Sequence, residues 1–155
     1  MIIDTHRFGE IEVPEEAVVT LTNGMMGFPE AKRFALLPYS SEGRLHWLQS
    51  VDDPTLCFLA VEPHHFFQDY EVVLADTDAT SLGLKEAKDA ALLSVLTLHR
   101  DTSVVTVNLA GPIVINVHSR RGRQVVVDDP RYTTRHLLTD LSKSLERNAE
   151  GVAPC

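Results

Sequence analysis

His64, His65, Asp69 and Glu71 crowd into eight residues, and imidazoles beside carboxylates are the side chains that hold divalent metals or relay protons. On a strand the adjacent His64 and His65 would point to opposite faces, and their spacing matches no common zinc pattern. A small metal-assisted hydrolase using His64, His65 and Asp69 is one functional class the sequence raises. Cys57 with His99 or His118 offers a nucleophile and a base, yet Cys57 sits in Leu56-Cys57-Phe58-Leu59, where desolvation raises a thiol pKa and makes it inert. The sequence contains no glycine-flanked serine elbow, phosphate loop or dinucleotide fingerprint. The reading is therefore a protein with no catalytic residues, no metal, no cofactor and no small-molecule substrate.

A second chemistry occupies the same stretch. Phe66, Phe67 and Tyr70 lie among Glu62, Asp69 and Glu71, just after an apolar strand-like run. Aromatic anchors inside an acidic rim describe a docking surface, in which rings supply binding energy and charge selects the partner. The alternative is a core-packing loop whose rings face inward. Charge is uneven along the chain. From Glu62 to Asp89 seven carboxylates, Asp76 and Asp78 among them, face Lys85 and Lys88, a net of −5. From His118 to Arg135 five arginines outweigh Asp128 and Asp129, and Arg120-Arg121-Gly122-Arg123 reads as a solvated hairpin tip that could meet an acidic partner or RNA.

These residues must be positioned by strands. Apolar residues come in short β-branched bursts between turn signals, which predicts strands at Met1 to Thr5, Glu10 to Val13, Val18 to Leu21, Arg33 to Leu37, Leu45 to Val51, Leu56 to Val61, Ala91 to Leu98, Val104 to Ala110, Ile113 to Val117 and Gln124 to Val127. Edge protection for so many strands argues for closure. The fold class is mainly β, a small antiparallel β-barrel-like domain with one or two short helices. One helix is expected from Asp76 or Thr77 to about Lys88, weakened by Gly83, and a second along the stripe Leu137, Leu138, Leu141 and Leu145. The domain is read as residues 1–138, followed by a C-terminal helical extension and tail over 139–155.

The alternation on both sides of Gly111-Pro112 suggests a β-hairpin or a bent strand. Asn108 and Asn116 stand on those arms, where an amide either satisfies a neighbouring backbone group or recognises a partner's backbone. Asn23-Gly24-Met25-Met26-Gly27-Phe28-Pro29 either presents Met and Phe as an adaptable contact or plugs the core.

The 155 residues suffice for one hydrophobic core, and a net charge of −8 disfavours a phosphate backbone as ligand. Only Cys57 and Cys155 are present, no apolar run is long enough to span a membrane, and the N-terminus lacks a signal-peptide layout. The expectation is a cytoplasmic protein with no direct nucleic-acid or membrane partner.

In order along the chain, Met1-Ile2-Ile3-Asp4-Thr5, Gly24-Met25-Met26-Gly27-Phe28-Pro29, Leu48-Gln49-Ser50, Glu62-Pro63 with Phe66-Phe67-Gln68-Asp69-Tyr70-Glu71, Asn108-Leu109-Ala110-Gly111-Pro112-Ile113-Val114-Ile115-Asn116, and Tyr132-Thr133-Thr134-Arg135-His136 resemble the flagellar assembly factor FliW family. The resemblance runs from Met1 to about Leu138. It departs at Glu62, where the family tends to have Asp, at Gln68, where Pro is usual, and at Gly111, where Ala is common. It implies a small β-barrel-like protein without catalytic activity that binds the RNA-binding translational regulator CsrA and also flagellin. Such a protein holds CsrA away from flagellin mRNA until newly made flagellin captures it, so that synthesis follows export. The partner-binding candidates are Phe66, Phe67, Asp69, Tyr70, Glu71, Asp76, Asp78, Gln49, Asn108 and Asn116.

Overall fold

A computed structural model of the chain describes residues 1–39, 44–99 and 101–138. Its strands are β1 (Ile2–Thr5), β2 (Gly9–Glu12), β3 (Val18–Leu21), β4 (Arg33–Pro38), β5 (Leu45–Ser50), β6 (Cys57–Val61), β7 (Ala90–His99), β8 (Val104–Val107), β9 (Ile113–Asn116), β10 (Arg121–Gln124) and β11 (His136–Leu137), with one helix α1 (Asp76–Ser81). β1 and β2 form a separate antiparallel ribbon. Seven strands close into a barrel in the order β7-β6-β5-β4-β3-β10-β9, with β9 returning to pair with β7.

Closure depends on the length of β7. Its first half, Ala90 to Leu93, pairs with β9, while Leu96 to His99 pairs with β8, so one strand serves two partners on the same edge. β8 and β9 therefore do not pair with each other, and the chain around Gly111-Pro112 turns between two halves of β7 rather than forming a hairpin. Every pairing in the barrel is antiparallel except that of β10 with β3.

Alternation in β6 explains why that strand is buried throughout. Phe58 and Ala60 join Val19, Leu21, Phe34, Leu48, Leu93, Ile113 and Ile115 inside the barrel. Cys57, Leu59 and Val61 point the other way, into a second core with Trp47, Leu96, Val105, Val107, Leu109, Tyr70 and Leu138. That outer core is roofed by β8 and by the segment after β6, where the acidic and aromatic candidates lie.

Several local expectations are corrected. The strand expected over Gln124 to Val127 lies instead at Arg121 to Gln124, so Arg121 and Gly122 are ladder residues and not a hairpin tip. Val125 and Val127 stay extended, donating to the Pro112 and Ala110 carbonyls. The helix from Asp76 ends at Ser81 rather than near Lys88, because Gly83 at φ 68° allows a left-handed stop in which the Gly83 and Leu84 amides donate to Thr80 and Ala79. Its N-cap is Ala75, with no side-chain cap, so Asp76 and Thr77 lie inside the helix. A short 3-10 turn at Ala87–Asp89 follows, closed by a capping box between Glu86 and Asp89. Leu137 belongs to β11, Leu138 packs in the outer core, and Leu141, Leu145 and the expected tail lie outside the described residues.

Candidate functional site

The segment leaving β6 positions the candidate rings. Pro63 opens a 3-10 turn, and its carbonyl accepts from the Phe66 and Phe67 amides, which lays both rings half-buried against the outer core. The Phe67 ring meets His136 edge-on at 4.9 Å. Tyr70 goes further in. It is 3 % exposed, its hydroxyl donates to the Leu109 carbonyl at 2.6 Å, and burial pushes its phenol pKa up. Tyr70 is thus a strut beneath the surface and not an exposed anchor, which corrects its expected role.

Tyr132 completes this shelf and was not singled out by itself in the sequence. Its ring packs against Tyr70 at 4.7 Å, while its hydroxyl donates to the Asp69 carbonyl and accepts from the Glu71 amide, both at 3.2 Å. One phenol so fixes the backbone on both sides of Tyr70. The only sequence signal for it was its place in the Tyr132-Thr133-Thr134-Arg135-His136 block.

The carboxylates divide by environment. Asp69, Glu71 and Asp76 are exposed. Asp78 is ion-paired with Arg123 at 3.1 Å, and Asp129 with Arg131 at 2.8 Å, so part of the arginine-rich stretch neutralises the acidic one. The Arg131 guanidinium holds the Asp129 carboxyl below the usual range by hydrogen bonding.

The three amide candidates are committed to the fold. Gln49 is wholly buried and donates to the Ser50 and Leu56 carbonyls at 3.1 and 3.2 Å, tying off the β5–β6 turn. Asn108 accepts from the Gly111 amide at 2.8 Å. Asn116 donates to the Leu82 carbonyl at 2.8 Å and accepts from His118 N at 2.9 Å, fastening the end of α1 to β9. Gln49 and Asn116 are thereby buried and spent on neighbouring backbone groups, the structural one of the two roles open to a strand amide.

Nor do the metal-capable side chains converge. His64 Nε2 lies 3.0 Å from the Tyr70 carbonyl, while His65 Nε2 lies 3.2 Å from Glu62. Among the described residues no three His, Cys, Asp or Glu side chains gather as a metal site. Cys57 is buried, and desolvation raises its thiol pKa to about 11.

Beyond Tyr70, burial alternates from Glu71 to Ala75 as it does along a strand, turning Val72 and Leu74 onto the barrel and leaving Val73 88 % exposed. A cleft of about 720 Å³ separates this segment from Ala87 to Leu92, and one of about 250 Å³ separates it from Val125 to Asp129. Val126, 75 % exposed, stands on the far rim of the second cleft. Neither valine carried a functional signal in the sequence, since each belongs to an ordinary β-branched run.

Comparison with known proteins places these features in a family. The family model described as FliW protein matches residues 2–138. A curated relative named flagellar assembly factor FliW, from Geobacter sulfurreducens, is 39 % identical over 155 residues, covering 97 % of both chains. One of the same name from Magnetococcus marinus is 37 % identical over 146 residues, covering 93 % of this chain and 89 % of its own. A solved structure described as a crystal structure of the flagellar assembly factor FliW superposes with a TM-score of 0.78 at 38 % identity, covering 88 % of this chain and 96 % of that one.

Proposed function

We propose, on the ground that the chain belongs to the FliW family of flagellar assembly factors, that it acts without catalysis by exchanging two protein partners, the translational regulator CsrA and flagellin. The free protein holds CsrA away from flagellin mRNA in the cytoplasm. Flagellin that has not been exported captures the protein in turn and returns CsrA to the message. Synthesis of the filament subunit then follows its secretion.

The observation that carries this reading is the exposed acidic set Asp69, Glu71 and Asp76 beside the half-buried rings of Phe66 and Phe67. Rings held half out of water by a proline-initiated turn offer apolar area at low entropic cost. Carboxylates around them repel phosphate and attract basic surface. An acidic protein seated beside an RNA-binding groove adds negative potential within about 8 Å at physiological salt, which lowers affinity for RNA without covering the bases. Asp78, paired with Arg123, contributes less to that field than Asp69, Glu71 and Asp76, which make no ion pair among the described residues.

Calorimetry with purified CsrA and flagellin tests the anchors. Phe66→Ala with Phe67→Ala is expected to weaken capture of at least one partner about tenfold or more, as truncation of interface rings does. Unchanged affinity for both sinks the assignment. Converting Asp69, Glu71 and Asp76 to Lys is expected to blunt the release of flagellin RNA from CsrA in a competition assay; an unaltered competition curve rejects the field argument.

A further inference from the structure

The segment Glu71–Ala75 has the alternation of a strand without the ladder of one. Val72 and Leu74 pack inward with Leu82, Val114 and Val125, while Glu71 and Val73 face out. The Glu71 amide is taken by Tyr132 and the Ala75 carbonyl by the amides of Asp78 and Ala79. Between those two fixed ends the amides and carbonyls of Val72, Val73 and Leu74 have no hydrogen-bond partner among the described residues. Side-chain packing thus holds the backbone extended and open. Such a row of donors and acceptors is a template for an added strand.

Charge says what kind of strand fits. The clefts on either side are rimmed by Glu62, Glu71, Asp78, Asp128 and Asp129; Asp78 is paired with Arg123 and Asp129 with Arg131, which leaves Glu62, Glu71 and Asp128 without an arginine ion pair among the described residues. Val73 and Val126 supply exposed apolar side chains between them. We infer that Val72–Leu74 accepts an extended, lysine- or arginine-bearing peptide segment of a partner protein by strand addition, with basic side chains on the carboxylate rim and apolar ones against Val73 and Val126. This deepens the partner-binding reading by naming a second contact on the same acidic face, and it holds for any partner that offers such a segment.

The probe is a synthetic eight-residue peptide alternating lysine and valine, with its glutamate-for-lysine counterpart as control, titrated into the isotopically labelled full chain. An added strand bonds alternate residues, so the lysine peptide should slow amide exchange of Val73, on the same edge as the Glu71 amide held by Tyr132, at least tenfold, with little change at Val125 and Val127, whose amides are already bonded. Val73→Pro removes the central donor and should weaken the peptide at least tenfold. Should that variant unfold, the pair Glu71→Lys and Asp128→Lys, which leaves the backbone intact, should weaken it at least fivefold. No protection at Val73, equal effects of the two peptides, or undiminished binding by the folded variants overturns the inference. Capture of CsrA and flagellin is measured on the same samples. Partners that bind while the peptide does not leave the partner-switching reading standing and remove this one; a peptide that binds while neither partner does reverses that outcome.

Discussion

Replacing Tyr70 by Phe removes one hydroxyl and leaves the ring, the edge-on contact with Tyr132 and the cavity volume in place. The hydroxyl donates at 2.6 Å to the carbonyl of Leu109, itself wholly buried, and no other donor to that carbonyl exists among the described residues. Loss of a buried hydrogen bond that strands its acceptor costs about 2 kcal/mol. For a chain of 155 residues that is a fall of about 4–8 °C in Tm, or about 1 M in urea midpoint. Tyr70→Ala also deletes the ring from the outer core and should cost about 4 kcal/mol. Trp47 belongs to the same cluster and gives a fluorescence signal for the unfolding titration. Because Tyr70 is 3 % exposed, Tyr70→Phe should leave partner affinity unchanged while lowering stability. A midpoint equal to that of the wild type, or a stable variant that binds CsrA or flagellin poorly, refutes the assignment of Tyr70 as a strut.

The other predictions concern backbone strain and a buried thiol. Gly24 has φ 74°, and a Cβ there would lie 2.2 Å from the Pro29 carbonyl oxygen, so Gly24→Ala should destabilise by about 2 kcal/mol or more in a urea titration. The Cys57 thiol, raised from 9.0 to about 11 by burial, is neutral in the fold where the unfolded chain already ionises. Its contribution is therefore complete below pH 9 and disappears as pH rises toward 11. Between pH 9 and 10, Cys57→Ala should lose less stability than the wild type; equal slopes reject the burial argument.

The acidic and aromatic stretch was legible because residue type alone marks it, but the direction of each side chain was not. Phe66, Phe67 and Tyr70 look equivalent in the sequence. A turn begun by Pro63 leaves the first two half out of water, and the Leu109 carbonyl draws the third in. The amides show the same limit. Gln49, Asn108 and Asn116 are polar in strands or their flanks, and whether such groups meet a partner or a carbonyl depends on chain brought from elsewhere, as Leu82 is to Asn116 across 34 positions.

Local pattern determined that this chain is built from many short strands with few helices, because alternation of β-branched residues and the placement of Gly and Pro act within a few positions. Tertiary contact decided the rest. Arg121 to Gln124 has no apolar alternation and becomes a strand because β3 and β9 offer their edges on its two sides, whereas Val125 to Val127 has the apolar residues and is held by the bonds of Val125 and Val127 to the Pro112 and Ala110 carbonyls. Val72 to Leu74 is the converse, its side chains alternating as in a strand while its backbone has no hydrogen-bond partner among the described residues. Hydrogen bonds between strands join residues far apart in the chain, so which extended segments are paired is fixed only when the barrel closes.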